Sequence, residues 1–126
     1  MERVKIDMEY IFRASPAMLY KFFTEPAQLI RWFCDEVDID GNTYTFVWEG
    51  SEEVADLIED EEDSRLRFQW EDADDDDEYY ELRMNRSPVT GETILEITDF
   101  CDDDEVDDQR QLWDNQMAQL RQEIGG

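Results

Sequence analysis

The chain has 126 residues, 40% of them hydrophobic and 13% aromatic, with 36 acidic side chains against 11 basic ones and a formal charge of −25. That field repels phosphate backbones and anionic headgroups, so it excludes nucleic acid and membrane surfaces as expected partners. The apolar content is enough to drive collapse in spite of the charge, and one acidic globular domain over residues 1–126 is the expectation.

From Val4 to Phe12 the residues alternate, with Val4, Ile6, Met8, Tyr10 and Phe12 on one face and Lys5, Asp7 and Glu9 on the other. This is the pattern of a half-buried strand. Ser15-Pro16 offers an N-cap and a proline at the first helical position, and Met18, Leu19, Phe22 and Phe23 form an apolar stripe on a short helix. Thr24 reads as the cap of a second short helix, with Pro26 in its first turn and Leu29, Ile30, Trp32 and Phe33 as its apolar side.

A series of strands joined by turn signals comes next. Val37 and Ile39 form a short strand, Asp40-Gly41-Asn42 turns the chain, and Thr43 to Trp48 returns with Tyr44, Phe46 and Trp48 on one face. After Glu49-Gly50, a strand around Val54 to Ile58 leads to Arg65-Leu66-Arg67-Phe68-Gln69-Trp70, whose alternation points Leu66, Phe68 and Trp70 inward. Tyr79 to Arg86 brings Tyr80, Leu82 and Met84 to the same face, and Ser87-Pro88 with Gly91 closes a hairpin onto Thr93 to Thr98, where Leu95 and Ile97 continue it. On the outer face Arg65, Arg67, Glu81, Arg83 and Glu96 are placed for exposed cross-strand pairs, each contributing a few tenths up to about 1 kcal/mol.

The period then changes from two to 3.6. Trp113, Met117, Leu120 and Ile124 recur at spacings of four, three and four, which predicts one stripe of a helix from about Val106 to Ile124. Asp102 to Asp104 read as caps, Asp107 and Asp108 suit the first turn, and Gly125-Gly126 ends the helix.

With no histidine in the chain, a histidine triad, general base or metal ligand is impossible. Cys34 and Cys101 have no CxxC or Cys/His spacing, so reduced thiols are expected, with Cys34 a small buried hydrophobe. No basic leader with an apolar stretch opens the chain, and no apolar run approaches the roughly 20 residues needed to cross a bilayer, so the expectation is a soluble cytoplasmic protein. The acidic stretch Asp72 to Glu78 lacks the glycine and glutamate that shape an EF-hand loop and joins strands rather than helices, so it reads as a solvated hairpin loop. No dedicated metal and no cofactor is expected. Acid runs from Glu2 to Glu123 and Lys5 and Lys21 are the only lysines, which suits a salty cytosol better than one patch for a basic partner.

The order of strand, two short helices, about six antiparallel strands and a long C-terminal helix resembles the START-like, or helix-grip, superfamily, which includes the Hsp90-ATPase-activator homologues and polyketide cyclases. Ser15-Pro16 through the Trp32 region is similar to that group's first helix pair, and Arg65 to Trp70 to its "RL-x-F-x-W" strand. Gly91-Glu92-Thr93 with Leu95 and Ile97 resembles its "GT-x-L-x-L" hairpin, and Trp113 to Leu120 its terminal "W-x-x-x-L-x-x-L", with Met117 replacing the first leucine. Two features depart from the pattern: the acidic insert at Asp72 to Glu78, and Asp99 where many relatives carry histidine. The resemblance implies an α+β helix-grip fold, in which a curved antiparallel sheet of six to seven strands holds the terminal helix on its concave face and encloses an apolar cavity.

In such a cavity the candidate ligand contacts are Tyr10, Phe12, Trp32, Phe46, Trp48, Phe68, Trp70, Leu82, Leu95, Trp113, Met117 and Leu120. The same inward set also suits a closed core. The leading expectation is non-catalytic binding of a small apolar or amphipathic ligand between sheet and helix. The alternatives are a protein-interaction module of the Hsp90-activator type and a cyclase- or aromatase-like enzyme using Tyr10, Tyr44 or Tyr80 beside a charged partner.

Overall fold

The computed structural model describes residues 2–73 and 77–125. Seven strands form one antiparallel sheet: β1 (Arg3–Phe12), β2 (Glu36–Asp40), β3 (Thr43–Trp48), β4 (Ser51–Glu61), β5 (Arg65–Trp70), β6 (Tyr80–Arg86) and β7 (Thr93–Asp102). Two short helices, α1 (Pro16–Thr24) and α2 (Pro26–Leu29), follow β1, and α3 (Val106–Ile124) ends the chain. The spatial order is β1-β7-β6-β5-β4-β3-β2. The helices therefore carry the chain from one edge of the sheet to the other, and a meander returns until β7 pairs with β1 over the full length of both strands. This is the α+β helix-grip architecture expected from the order of elements.

The alternation of β1 is realised: Ile6, Met8 and Phe12 are buried and Lys5, Asp7 and Glu9 exposed. The inner face of the sheet packs against both helical layers. Phe12, Phe46, Phe68, Leu66, Leu95 and Ile97 from strands meet Leu19 and Phe23 of α1 and Met117 and Leu120 of α3, all with essentially no exposed surface. At 19 residues α3 is about 28 Å long, enough to lie across most of the sheet.

Local chemistry follows the turn and cap signals with several corrections. Ser15 caps α1 by accepting from the Met18 N–H, but Thr24 is the last residue of α1, its hydroxyl donating to the Tyr20 carbonyl. The N-cap of α2 is Glu25, without a side-chain bond. The cap of α3 is likewise Glu105 rather than Asp102 to Asp104, whereas Asp107 and Asp108 do occupy the first turn. Gly125 closes α3 in the left-handed region at φ 86°; Gly126 lies outside the described residues. Glu49 and Gly50, both at positive φ, form the two-residue turn between β3 and β4, where the backbone twist favours such a pair.

Strand β4 is longer than Val54 to Ile58, and a register shift between Leu57 and Glu59 leaves Ile58 exposed while Ala55 and Leu57 point inward. On the convex face the expected cross-strand pairs form, yet they are not all exposed. Glu81 retains only 3% of its surface because Arg65, Arg67 and Arg83 close over its carboxylate. Burial alone would raise the Glu81 carboxyl, but the hydrogen bonds from Arg83 and Arg67 outweigh it and hold the group below the usual range. The centre of the acidic stretch Asp72 to Glu78, residues 74–76, lies outside the described residues. No helix among the described residues is long and apolar enough to cross a membrane.

Candidate functional site

In an antiparallel meander the C-terminal ends of β3, β5 and β7 lie beside the N-terminal ends of β1, β4 and β6. At that end the first half of α3 spans the sheet, and between them is a pocket of about 520 Å³. Its floor is aromatic: Trp48 ends β3, Trp70 ends β5, Tyr80 begins β6 and Trp113 descends from α3. The rings are in sequence contact, with centroids 6.3 Å apart for Trp48 and Trp70, 5.3 Å for Trp70 and Tyr80, and 6.2 Å for Tyr80 and Trp113. Phe33, packed edge-on against Trp48 at 5.3 Å, closes one side.

The volume stops at that floor. Beneath it Phe46, Phe68, Leu82 and Trp32 surround a void of only about 10 Å³, at the lower limit for a single water. The two readings left open for the inward aromatics thus both apply, each to a different depth: a closed core inside and an open pocket at one end.

Two buried carboxylates, Asp99 and Glu78, sit in the wall. Asp99 continues the inward series Leu95, Ile97 along β7 and is 8% exposed. Its Oδ2 accepts from the Trp113 indole N–H and the Gln109 side-chain amide, each at 2.8 Å, and its Oδ1 accepts from the Phe100 backbone N–H at 2.8 Å. Burial raises the Asp99 carboxyl above its ordinary range, while these three donors and the charge of Arg3 pull it partly back. Gln109, Leu112, Trp113 and Gln116 share the pocket-facing side of α3, as their spacing of three and four requires.

Arg3 borders the pocket from β1. Its guanidinium donates from Nη2 and Nε to the Glu78 carboxylate at 2.6 and 3.0 Å, and from Nη1 to Asp102 at 3.2 Å. The bond to Glu78 is the main reason its pKa lies above the ordinary arginine value. Asp102, Asp104 and Glu105 bring carboxylate oxygens within 4.8 Å of one another beside this pair, on the exposed approach to α3.

The START-like superfamily domain matches residues 1–126, the whole chain. The chain belongs to the START-like superfamily. It is similar to a Bacteroides fragilis protein solved by NMR, with 35% identity, a TM-score of 0.71, and 97% of this chain covering 91% of that one. The Aha1 dimer from Colwellia psychrerythraea shares the fold at 14% identity, with a TM-score of 0.81 and 96% of each chain covered. CalU16 from Micromonospora echinospora does so at 22% identity, with a TM-score of 0.72, 97% of this chain and 75% of that one. No curated protein matches the chain.

Within this START-like frame the twelve predicted contact residues separate into three groups. Trp48, Trp70 and Trp113 line the open pocket. Trp32, Phe46, Phe68 and Leu82 lie in the closed layer beneath it, where the Trp32 N–H donates to the Phe22 carbonyl at 2.9 Å. Leu95, Met117 and Leu120 are fully buried, Phe12 lies under the Arg121 guanidinium at 4.8 Å, and Tyr10 donates its hydroxyl to Asp114 at 2.6 Å. Tyr10 and Tyr44, two of the tyrosines considered for acid–base work, do not border the pocket, whereas Tyr80 does.

Asp99, Glu78, Gln109 and Phe33 line the pocket but are not among the twelve contacts expected from the sequence. For Asp99 a signal existed, since carrying the period of two past Thr98 puts it on the face of Leu95 and Ile97. In the sequence it otherwise stands out only as a departure from the superfamily pattern, where many relatives carry histidine. The interior is consequently less free of charge than the alternation of the strands implied.

Proposed function

We propose that this START-like domain is a non-catalytic binding module that holds a small amphipathic molecule in the pocket between the sheet and α3. What carries the reading is the pocket itself. A volume of about 520 Å³ lies within the range of small-molecule sites, and its floor is built from rings already fixed by other contacts. The Trp48 N–H is held by the Phe33 carbonyl at 2.6 Å and the Trp113 N–H by Asp99, so little ordering remains when a ligand arrives. Trp48, Trp70 and Leu112 supply apolar contact, and the polar wall around Asp99 supplies orientation.

Catalysis has weaker support. Burial holds the Tyr80 hydroxyl far from ionisation, and both Asp99 oxygens already accept hydrogen bonds, Oδ2 from Gln109 and Trp113 of α3 and Oδ1 from the Phe100 backbone N–H. We also read the evenly spread acid as adaptation to a salty cytosol.

The test is native mass spectrometry of the purified full chain, followed by titration of small amphiphiles monitored by tryptophan fluorescence. A co-purified small-molecule adduct, or saturable quenching lost in Trp70→Ala, supports the reading. An empty protein that binds no probe and is instead captured by a defined protein partner at the α1–α2 side overturns it in favour of an interaction module.

A further inference from the structure

We propose that the pocket takes an amphipathic organic cation, a protonated amine or quaternary ammonium on an apolar body. This rests on the binding-module reading and names what the pocket selects.

Several of the strong donors in the pocket walls are spent within the protein. The Trp48 indole N–H goes to the Phe33 carbonyl, and the Trp113 N–H and Gln109 amide go to Asp99. Arg3, the only base among the described lining residues, is taken by Glu78 and Asp102. A ligand carboxylate or phosphate would therefore find no unengaged base among the described lining residues. It would also lose its own hydration on entering.

What remains is complementary to positive charge. Glu53 at the start of β4, Asp72 after β5 and Glu105 before α3 all border the pocket and are exposed, with acceptor oxygens around the mouth. Between them lie the half-buried rings of Trp48 and Trp70, whose centroids are 6.3 Å apart. A cation within about 6 Å of an aromatic centroid is attracted by the negative face of the ring, most strongly for tryptophan. Other rings in this protein already hold cations in that way: Arg67 lies 3.9 Å from the Tyr79 centroid and Arg121 4.8 Å from that of Phe12. No such arginine is recorded over Trp48 or Trp70 among the described residues. The apolar body of the ligand would cover the floor formed by Phe33, Tyr80 and Trp113, and its charged end would sit at the carboxylate rim.

The overall charge of −25 attracts any cation, so the experiment must separate the pocket from the general field. Decyltrimethylammonium, decanol and decanoate share one apolar chain and differ in head charge. They are titrated into the full-length protein below micelle-forming concentrations in 1 M potassium chloride, where the Debye length is about 3 Å and only close contacts survive. We expect the ammonium to bind about tenfold tighter than decanol, and decanoate weakest. The rim variant Glu53→Gln/Asp72→Asn should lower ammonium affinity about fivefold and leave decanol unchanged. The matched variant Glu62→Gln/Glu92→Gln neutralises two acids at the far end of the sheet and should change neither. Decanol or decanoate binding as tightly as the ammonium overturns the cation selection and leaves the binding-module reading standing. An equal loss in the far-end variant also overturns it, by assigning the preference to the general field. If none of the three probes binds, both readings fall.

Discussion

The indole N–H of Trp113 donates to Asp99 Oδ2 at 2.8 Å, which ties the middle of α3 to the inner face of β7 at the wall of the pocket. One residue belongs to the terminal helix and the other to the last strand, so this bond sets the height of the helix above the sheet. Gln109 strengthens the same anchor from one turn earlier.

Removing the ring should cost both packing and the anchor. Trp113→Ala is expected to destabilise the domain by about 3–5 kcal/mol and to abolish ligand binding. Trp113→Phe keeps the apolar surface and removes only the N–H, with an expected loss of about 1–3 kcal/mol. Urea unfolding of the two variants checks the ranking; a Trp113→Phe protein as stable as the wild type would mean that the hydrogen bond contributes nothing.

Asp99 links the anchor to pH. Its carboxyl is raised in the folded state, chiefly by burial, so the native protein binds that proton more tightly than the unfolded chain. The stability it contributes is fully present below the ordinary aspartate value and is lost as pH rises through the raised folded value. The melting temperature of the wild type relative to Asp99→Asn should therefore increase as pH falls from neutrality into the acid range. A difference that is flat with pH would contradict the linkage.

Glu81, on the opposite face of the sheet, carries the opposite sign. Arg83 and Arg67 hold its carboxyl below the usual range in spite of burial, so its contribution is present above the ordinary glutamate value and is lost as pH falls through the depressed folded value. Glu81→Gln leaves three arginines facing one another without their central anion. The expected loss at pH 7 is about 1–3 kcal/mol, below the range for fully buried pairs because these arginines remain partly in water. Denaturant titration at pH 7 and at pH 3 checks it, and the difference from wild type should shrink at the lower pH.

Salt should stabilise the native state. With 36 acidic and 11 basic side chains, the compact form concentrates like charge that the unfolded chain disperses. Molar potassium chloride reduces the Debye length to about 3 Å, so the melting temperature is expected to rise between low and molar salt. A fall, or no change, would remove the argument for adaptation to a salty cytosol.

Cys34 should be inert in the folded protein. Burial, with a smaller effect of Asp35, pushes its thiol up to about 11. Alkylation by iodoacetamide at pH 8 is expected to be roughly a hundredfold slower in native protein than in denaturing urea, because the thiolate fraction and access both fall. Rapid native labelling of Cys34 would place the thiol at the surface.

The elements with strong periodicity were legible before any fold was known. Val4 to Phe12, Arg65 to Trp70 and the Trp113, Met117, Leu120 stripe each form the predicted element on the predicted face. Boundaries and caps were less so. Thr24 and Asp102 to Asp104 have the right chemistry for capping, yet the chain takes its turns one or more residues away, since the docking of each helix and not its cap alone decides where it begins. The bulge at Ile58 had no signature, because it depends on how β4 must bend to pair with β5.

The sequence by itself determined the order of elements, the inward faces and the acidic exterior, because period and charge are properties of neighbours along the chain. Only the tertiary structure decided which inward aromatics are sealed and which are open. Phe46 and Phe68 are covered where sheet and helices approach, while Trp48 and Trp70 stand where the strand ends pass beyond that contact and α3 leaves about 520 Å³ above them. The same packing turned Asp99 from one acid in a run into the buried partner of Trp113, because a carboxylate separated from its donor by 14 residues gains its environment only when strand and helix meet.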